Sequence, residues 1–189
     1  GQSVTFTATV SAGGGTPMGT VQFKVDGTNY GAPVTLSGGV ATLSPITSLS
    51  VGTHTLAALY SGDGTYSGST SPDFSQTVNQ AGTLTVMTTS SGQTVYGQPL
   101  TLTATVTAVA PGAGIPTGTV TFYEKRPGGE IATLPLDATG VVSYTTQWLN
   151  VGHYSKAHAE YFGDANFTGV DSSDCVLDVN RANTLTTLA

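Results

Sequence analysis

The sequence predicts an all-β fold made of two tandem antiparallel β-sandwiches with about seven strands each. Three observations lead to this prediction. A unit of about a hundred residues occurs twice along the chain. Within each unit, apolar and polar residues alternate with the period of two that is typical of strands. Clusters of Gly, Pro and Asp separate the alternating segments, and no segment shows the apolar repeat of an amphipathic helix.

The composition excludes several classes of protein. The chain of 189 residues is 38% hydrophobic and 8% charged, which is too apolar for a disordered protein. No apolar run approaches the roughly 20 residues that a membrane-spanning helix needs. Five Lys and Arg residues against eleven Asp and Glu residues give a net charge of −6, whereas phosphate binding needs clustered positive charge. We therefore expect no nucleic-acid partner and no membrane insertion.

The internal repeat extends through the whole chain. Residues 1–10 (GQSVTFTATV) match residues 97–106 (GQPLTLTATV), and residues 19–23 (GTVQF) match residues 118–122 (GTVTF). A fixed internal repeat determines the architecture before local propensities are considered. We therefore expect one domain at residues 1–81 and a second at residues 82–181. Further matched segments are Leu49–Gly52 with Leu149–Gly152, Tyr60–Asp63 with Tyr161–Asp164, and Val78–Ala81 with Val179–Ala182.

The alternation inside each unit indicates which side chains face the core. In the first strand of the first unit, Thr residues alternate with the apolar residues Val4, Phe6, Ala8 and Val10. Thr is β-branched and favours strands, so this face raises strand propensity while it stays in contact with water. The other residues expected to face inward are Val21, Phe23, Leu56, Ala58, Tyr60, Phe74 and Val78, with Val120, Phe122, Ala157, Ala159, Tyr161, Cys175 and Val179 in the second unit.

The repeated pattern resembles the bacterial Ig-like repeats that occur in tandem in large secreted and surface-attached proteins. It consists of Gly-Gln-x-apolar-Thr-apolar-Thr-Ala-Thr-Val, Gly-Thr-Val-x-Phe, Leu-x-Val-Gly and Tyr-x-Gly-Asp. The resemblance implies immunoglobulin-like sandwiches in an extracellular or cell-surface protein, with adjacent Ig-like repeats or neighbouring copies as partners. It implies a stalk, spacer or fibre-building repeat and no enzyme. The alternative is an adhesin module that binds glycan or a cell surface through loops or Thr-rich faces.

One strand is out of step with the repeat. Residues 81–87 (AGTLTVM) form the predicted first strand of the second unit, and the first unit has no counterpart. The matching segment is found at residues 182–188 (ANTLTTL), so we expect residues 182–189 to form an extra strand. It is either the first strand of a further repeat, or a strand donated to the vacant edge of the first unit in a neighbouring copy. The candidate donor residues are Thr184, Leu185, Thr186, Thr187 and Leu188.

Acidic residues in two equivalent turns are candidates for a calcium site. Asp63 and Asp164 each follow a Gly at the end of a strand. Calcium takes six to eight oxygen ligands, usually from several carboxylates, and neither turn carries an acidic cluster. Turn chemistry explains both residues, although further acids leave calcium in the second unit as a minor alternative. Those acids are Asp171, Asp174 and Asp178.

Other reactive side chains give no catalytic pattern. His54, His153 and His158 have no metal-ligand spacing in common, and Cys175 lies at an inward-facing strand position. We therefore predict no catalytic residue, no cofactor and no metal site. Trp148 is the candidate ligand-stacking residue, because a lone aromatic in a connection can stack on a sugar ring; anchoring of its loop is the alternative.

Overall fold

The computed structural model describes residues 2–125 and 127–188, which form strands, turns and loops and no helix. They divide into two compact units, Gly1–Asn79 (unit 1) and Gln80–Ala189 (unit 2). The boundary lies before Ala81, the expected end of the first domain, because the backbone of Ala81 pairs with that of Phe167. The predicted all-β fold is confirmed.

Unit 1 is a sandwich of a small sheet and a larger one. Strands β1 and β5 form the small antiparallel sheet, and the larger sheet has the order β3-β2-β6-β7. β4 pairs with β2 on the same side as β3, and β8 pairs with β6. The strands are β1 (Thr7–Thr9), β2 (Thr20–Val25), β3 (Thr28–Asn29), β4 (Val34–Thr35), β5 (Val40–Thr42), β6 (Gly52–Tyr60), β7 (Ser69–Thr70) and β8 (Phe74–Val78).

The core of unit 1 lies between these sheets. Alternate residues of β2 and β6 face it, as the period-two pattern predicts. Val21, Phe23, Leu56 and Tyr60 are buried, whereas Ala58 is half-buried. The buried cluster contains Val21, Phe23, Ala41, Leu43, Ile46 and Tyr60.

Unit 2 repeats this architecture with longer strands. One sheet has the order β14-β11-β9, and the facing sheet has the order β10-β17-β15-β12-β13, with β16 beside β15. The strands are β9 (Thr83–Thr89), β10 (Gln93–Val95), β11 (Leu100–Ala108), β12 (Thr119–Tyr123), β13 (Glu130–Pro135), β14 (Val141–Thr146), β15 (Gly152–Gly163), β16 (Thr168–Asp171) and β17 (Cys175–Asn180).

The core of unit 2 is more completely enclosed than that of unit 1. β11 is central in its sheet, since it pairs with β14 on one side and β9 on the other. The buried cluster contains Met87, Leu100, Leu102, Ala104, Val106, Val120, Phe122, Val142, Ala157, Ala159, Tyr161, Phe167 and Leu177. Cys175 is half-buried and packs against this cluster.

Candidate functional site

The two units differ most at one sheet edge. In unit 2, β9 pairs with β11 from Leu102↔Thr89 to Ala108↔Thr83. The inward-facing Thr85 and Met87 of β9 are buried. With that cover, the inward-facing residues of β11 reach an exposure of 2% or less: Leu100, Leu102, Ala104 and Val106.

Unit 1 lacks this cover. β1 spans 3 residues, whereas the equivalent β11 spans 9. β1 pairs with β5 alone, and no strand formed by residues 2–79 lies along its other edge. The residues that match the buried set of β11 are consequently only half-buried, although their sequence pattern is the same: Val4, Phe6, Ala8 and Val10.

The uncovered edge of β1 presents backbone polar groups. Val10 N–H donates to Gly39 O (2.8 Å), and Leu43 N–H donates to Phe6 O (2.9 Å), so the even-numbered residues bond towards β5. In an antiparallel ladder, alternate residues point their N–H and C=O groups to opposite sides. The groups of the odd-numbered residues therefore face the uncovered edge, which is a template for a further strand. These residues are Thr5, Thr7, Thr9 and Ser11.

A groove of about 560 Å³ runs beside this edge, between β1 and residues of β6, β7 and β8. Phe74 lines the groove and contacts Phe6 edge-to-face, with ring centroids 6.4 Å apart. The prediction that Phe74 faces a closed core is wrong, because this side chain is 58% exposed. It lies on the expected strand, but among the described residues of unit 1 no strand lies along the open edge of β1 to cover it. We call this feature the unit 1 groove.

The Asp carboxylates of the two Gly-Asp turns accept hydrogen bonds that stabilise the surrounding backbone. Asp63 Oδ2 accepts a hydrogen bond from Met18 N–H (2.8 Å), and Oδ1 accepts from Thr65 N–H and Tyr66 N–H (2.7 and 2.8 Å). These hydrogen bonds, the one from Met18 N–H foremost, lower the pKa of Asp63 to about 2.

Asp164 has the same role in unit 2. Its Oδ2 accepts from Thr117 N–H (2.8 Å) and Thr117 Oγ1–H (2.6 Å), and its Oδ1 accepts from the N–H groups of Asn166 and Phe167. Burial opposes ionisation of Asp164, but these hydrogen bonds outweigh it and lower the pKa. Within residues 2–125 and 127–188, no group of three or more His, Cys, Asp or Glu residues is placed to hold a metal.

Two histidines pair with carboxylates that are distant in sequence. His54 Nδ1 lies 2.8 Å from Asp26 Oδ2, and His153 Nδ1 lies 2.6 Å from Asp178 Oδ1. Hydrogen bonding to Asp26 raises the pKa of His54, and hydrogen bonding to His54 lowers the pKa of Asp26. Sequence spacing gave no sign of these pairs, since strand pairing brings them together. His158 is buried and stacks on Tyr123.

The candidate ligand-contact residues lie on the surface. Trp148 lies between β14 and β15 and is 71% exposed. The predicted extra strand is not present over the described residues 182–188, which form no strand and have exposed side chains. The donor segment Thr184–Leu188 thus lies free of the sheets of its own unit. No helix within the described residues is long and apolar enough to cross a membrane.

Comparison with known proteins identifies the family. The family profile described as bacterial Ig-like domain (group 3) matches residues 1–79 and 87–180, and no curated protein matches the chain. The fibronectin(III)-like modules of CbhA from Clostridium thermocellum are similar at 18% identity, covering 100% of this chain and 91% of theirs, with a TM-score of 0.41. The adhesin InvE of Yersinia pseudotuberculosis has 17% identity, covering 90% of this chain and 53% of its own, with a TM-score of 0.39. The two profile matches, one on each sandwich, show that the chain belongs to the bacterial Ig-like domain (group 3) family.

Proposed function

We propose that this chain is a non-enzymatic structural module, a stalk or spacer, of an extracellular or cell-surface bacterial protein. Its partners in this role are adjacent Ig-like repeats or neighbouring copies. The family supports this location and role, and the low charge of the chain suits a module that avoids binding to other copies through electrostatic attraction. The observation that carries the proposal is the parallel pairing of two strands near the opposite ends of unit 2.

β10, near the start of unit 2, pairs in parallel with β17, near its end. The pairs are Gln93↔Asp178, Thr94↔Val179 and Val95↔Asn180. A pull on the two ends of unit 2 draws two such parallel strands past each other along their length. Their hydrogen bonds lie across the direction of pull, so they must break together before either strand can leave. Unit 1 has no parallel strand pair in its described part.

Single-molecule force spectroscopy of the full chain, pulled by its termini, tests the proposal. We expect two unfolding events, with the higher force belonging to unit 2. Asp178 N–H donates to Gly92 O (3.0 Å) and Tyr96 N–H donates to Asn180 O (2.9 Å), which places the N–H of Thr94 towards β17. Thr94→Pro removes that N–H and lowers the higher force, whereas Val95→Pro removes an N–H that points away from β17.

Equal forces for the two units, or equal effects of the two proline substitutions, would contradict the mechanical role proposed for the β10–β17 pair and, with it, the proposed function.

The exposure of Trp148 favours a second candidate function, an adhesin module that binds glycan or a cell surface. The indole ring of Trp148 has a flat apolar face and is 71% exposed in a loop, so a sugar ring can stack on it. Screening the chain on a glycan array tests this function. Specific binding that is lost in Trp148→Ala and kept in Phe162→Ala supports it, since Phe162 is another exposed aromatic of unit 2 (54%). No binding by the unsubstituted chain would reject it.

A further inference from the structure

We propose that the outer face of the sheet β14-β11-β9 in unit 2 is a contact surface for the same face of a second copy of this chain. The surface, which we call the neutral face, consists of the even-numbered residues 84–88 of β9 and the odd-numbered residues 101–107 of β11 and 141–145 of β14. The residues between them point into the core. The proposal rests on the structural role proposed above and names the surface through which neighbouring copies meet side by side.

The neutral face carries no charge. β9, β11 and β14 contain no Asp, Glu, Lys or Arg, whereas the core of a contact surface is typically depleted of charge and the rest of a protein surface is not. The chain has a net charge of −6, so copies repel each other. Of the two sheet faces of unit 2, only the neutral face brings copies together without opposing charged strand residues. The strands of the facing sheet hold Glu130, Lys156, Glu160, Asp171 and Asp178.

Exposed aliphatic side chains occupy one half of the neutral face. Leu84 is 53% exposed and Val86 is 47% exposed. In the strand register, Thr105 lies opposite Val86 on one side and opposite Val141 on the other. The three strands therefore carry the row Val86–Thr105–Val141 across the sheet, with Leu84 two residues away along β9. A contiguous apolar patch of this kind is typical of a protein contact surface.

The other half of the neutral face carries hydroxyl groups that bind each other. Thr101 Oγ1 lies 2.8 Å from Thr145 Oγ1, and Thr103 Oγ1 lies 2.9 Å from Ser143 Oγ. A polar group that keeps its hydrogen bond costs far less to bury than one left without a partner. A protein partner can therefore cover these pairs at low cost. A sugar is instead recognised by polar groups directed at it, so this half favours a second copy over a glycan.

The size of the neutral face suits a weak, reversible contact. β11 has 9 residues, so it is about 30 Å long, and three strands are together about 14 Å wide. Side chains that stand out of this area add to its accessible surface, so two copies bury roughly 1,000 Å² in total, at the low end for specific interfaces. Stalks that stand side by side raise each other's local concentration, so a weak contact is sufficient.

A contact between two identical faces is isologous and closes as a dimer. A two-fold axis through the apolar half places Val86 of one copy against Val86 of the other, with the two sheets about 10 Å apart. This arrangement covers Leu84 and Val86 of both copies. The charged residue closest to β14 in sequence is Asp137, whose carboxylate accepts hydrogen bonds from the N–H groups of Thr139 and Val141 within its own turn.

Sedimentation velocity of the full chain at concentrations up to about 1 mM tests the proposal. We expect a monomer–dimer equilibrium that Val86→Lys weakens by roughly 100-fold, because two like charges then face each other across the contact. Val176→Lys is the matched control and should leave association unchanged. Val176 is also an exposed strand valine (55%), but it lies on β17 in the facing sheet, and its substitution changes the net charge equally. Circular dichroism checks that both variants are folded.

Mixing opposite charges tests the two-fold arrangement. Val86→Lys and Val86→Glu should each be monomeric alone and should associate when mixed at low ionic strength, since opposite charges then meet across the contact. This recovery also shows that both variants keep a native neutral face. A full chain that stays monomeric, equal effects of Val86→Lys and Val176→Lys, or no recovery on mixing would each overturn the proposal.

A neutral glycan is the other occupant that these variants can reveal. A full chain that stays monomeric but binds a glycan array, with binding lost in Val86→Lys and kept in Trp148→Ala, would overturn the contact between copies and assign the neutral face to a glycan.

This proposal and the proposed function fail separately. A chain that unfolds at two forces as expected but stays monomeric keeps the spacer function and loses the contact between copies. A chain that dimerises through Val86 but unfolds at equal forces keeps that contact and loses the mechanical role of the β10–β17 pair.

Discussion

The backbone N–H of Met18 donates a 2.8 Å hydrogen bond to Asp63 Oδ2, across 45 positions of the sequence. It joins the segment that leads into β2 to the turn that follows β6. Thr117 and Asp164 form the same contact in unit 2, also at 2.8 Å. The Asp of each Gly-Asp turn therefore fastens two non-adjacent segments of its sandwich, besides ordering its own turn.

Asp63→Asn is expected to destabilise unit 1, because an amide replaces a carboxylate that accepts three backbone hydrogen bonds. Urea denaturation that resolves the two units measures the effect. Asp73→Asn removes the same charge at an exposed position and serves as the control. Equal midpoints for the two variants would contradict a structural role for Asp63.

The Asp63 carboxylate also predicts that the stability of unit 1 falls at acid pH. The pKa of Asp63 is about 2 in the folded protein, below its ordinary value of 3.8. Its contribution is therefore fully present well above pH 3.8 and is lost as the pH falls through the folded value near 2. Unit 1 should lose stability over this window in the unsubstituted protein and less so in Asp63→Asn. Thermal unfolding followed by circular dichroism at several acidic pH values measures the difference.

The His54–Asp26 pair predicts that the stability of unit 1 falls at both ends of a pH window. The pKa of His54 is raised from 6.5, so its contribution is present below 6.5 and lost as the pH rises through the higher folded value. The pKa of Asp26 is lowered from 3.8, so its contribution is lost as the pH falls below that value. His54→Gln should therefore destabilise unit 1 most between these limits, as measured by melting temperature.

Asp26→Asn is the partner variant for that test. Asp26 has a φ of 50°, a left-handed conformation that Asn tolerates well. The Asp26→Asn substitution therefore removes the carboxylate without introducing backbone strain. If the double variant loses as much stability as the two single variants together, the His54 and Asp26 side chains are not energetically coupled.

Equivalent valines in the two units are expected to respond differently to truncation. Val106 is 1% exposed, whereas Val10 is half-buried beside the unit 1 groove. Val106→Ala should lower the free energy of unfolding of unit 2 by about 2 kcal/mol, from lost burial and the cavity left behind. Val10→Ala should cost unit 1 less than about 1 kcal/mol. Chemical denaturation measures both, and equal costs would show that β1 is covered in solution.

Equivalent tyrosines provide a further matched pair. Tyr60 Oη–H donates a 2.6 Å hydrogen bond to Met18 O, whereas Tyr161 Oη–H forms no hydrogen bond of ordinary geometry within residues 2–125 and 127–188 and interacts only with the Asp164 carboxylate. Tyr60→Phe should therefore lower the melting temperature of unit 1, because it leaves a carbonyl unpaired. Tyr161→Phe should leave the stability of unit 2 unchanged or raise it. A larger loss from Tyr161→Phe would contradict this assignment.

Much of each sandwich can be read from the chain. Val21 and Phe23 in β2, like Val120 and Phe122 in β12, are buried where the period-two pattern places them. Alternation along one strand is a local property, so a short segment suffices to show which side chains share a face. The internal repeat and the family resemblance then extend this interpretation to both units, and the family is confirmed.

The contacts of the candidate site could not be predicted in this way. The hydrogen bond from Met18 to Asp63 and the pairing of His54 with Asp26 join residues far apart in sequence. The identity of these residues does not indicate which partner each one contacts. The sequence predicts a vacant edge in unit 1 but not the groove beside it. That Phe74 lies open beside it was not foreseen, because the strand pattern of Phe74 is that of a buried residue.

The strands, their two faces and the repetition of the unit follow from the order of residues along the chain. Whether a given apolar face is covered depends on how the strands assemble in three dimensions. Val10 and Val106 have the same sequence context, yet only Val106 is buried, because β9 lies beside β11 and no described strand lies beside β1. A side chain's direction follows from its own backbone, whereas its burial requires a second segment that the chain must bring from elsewhere.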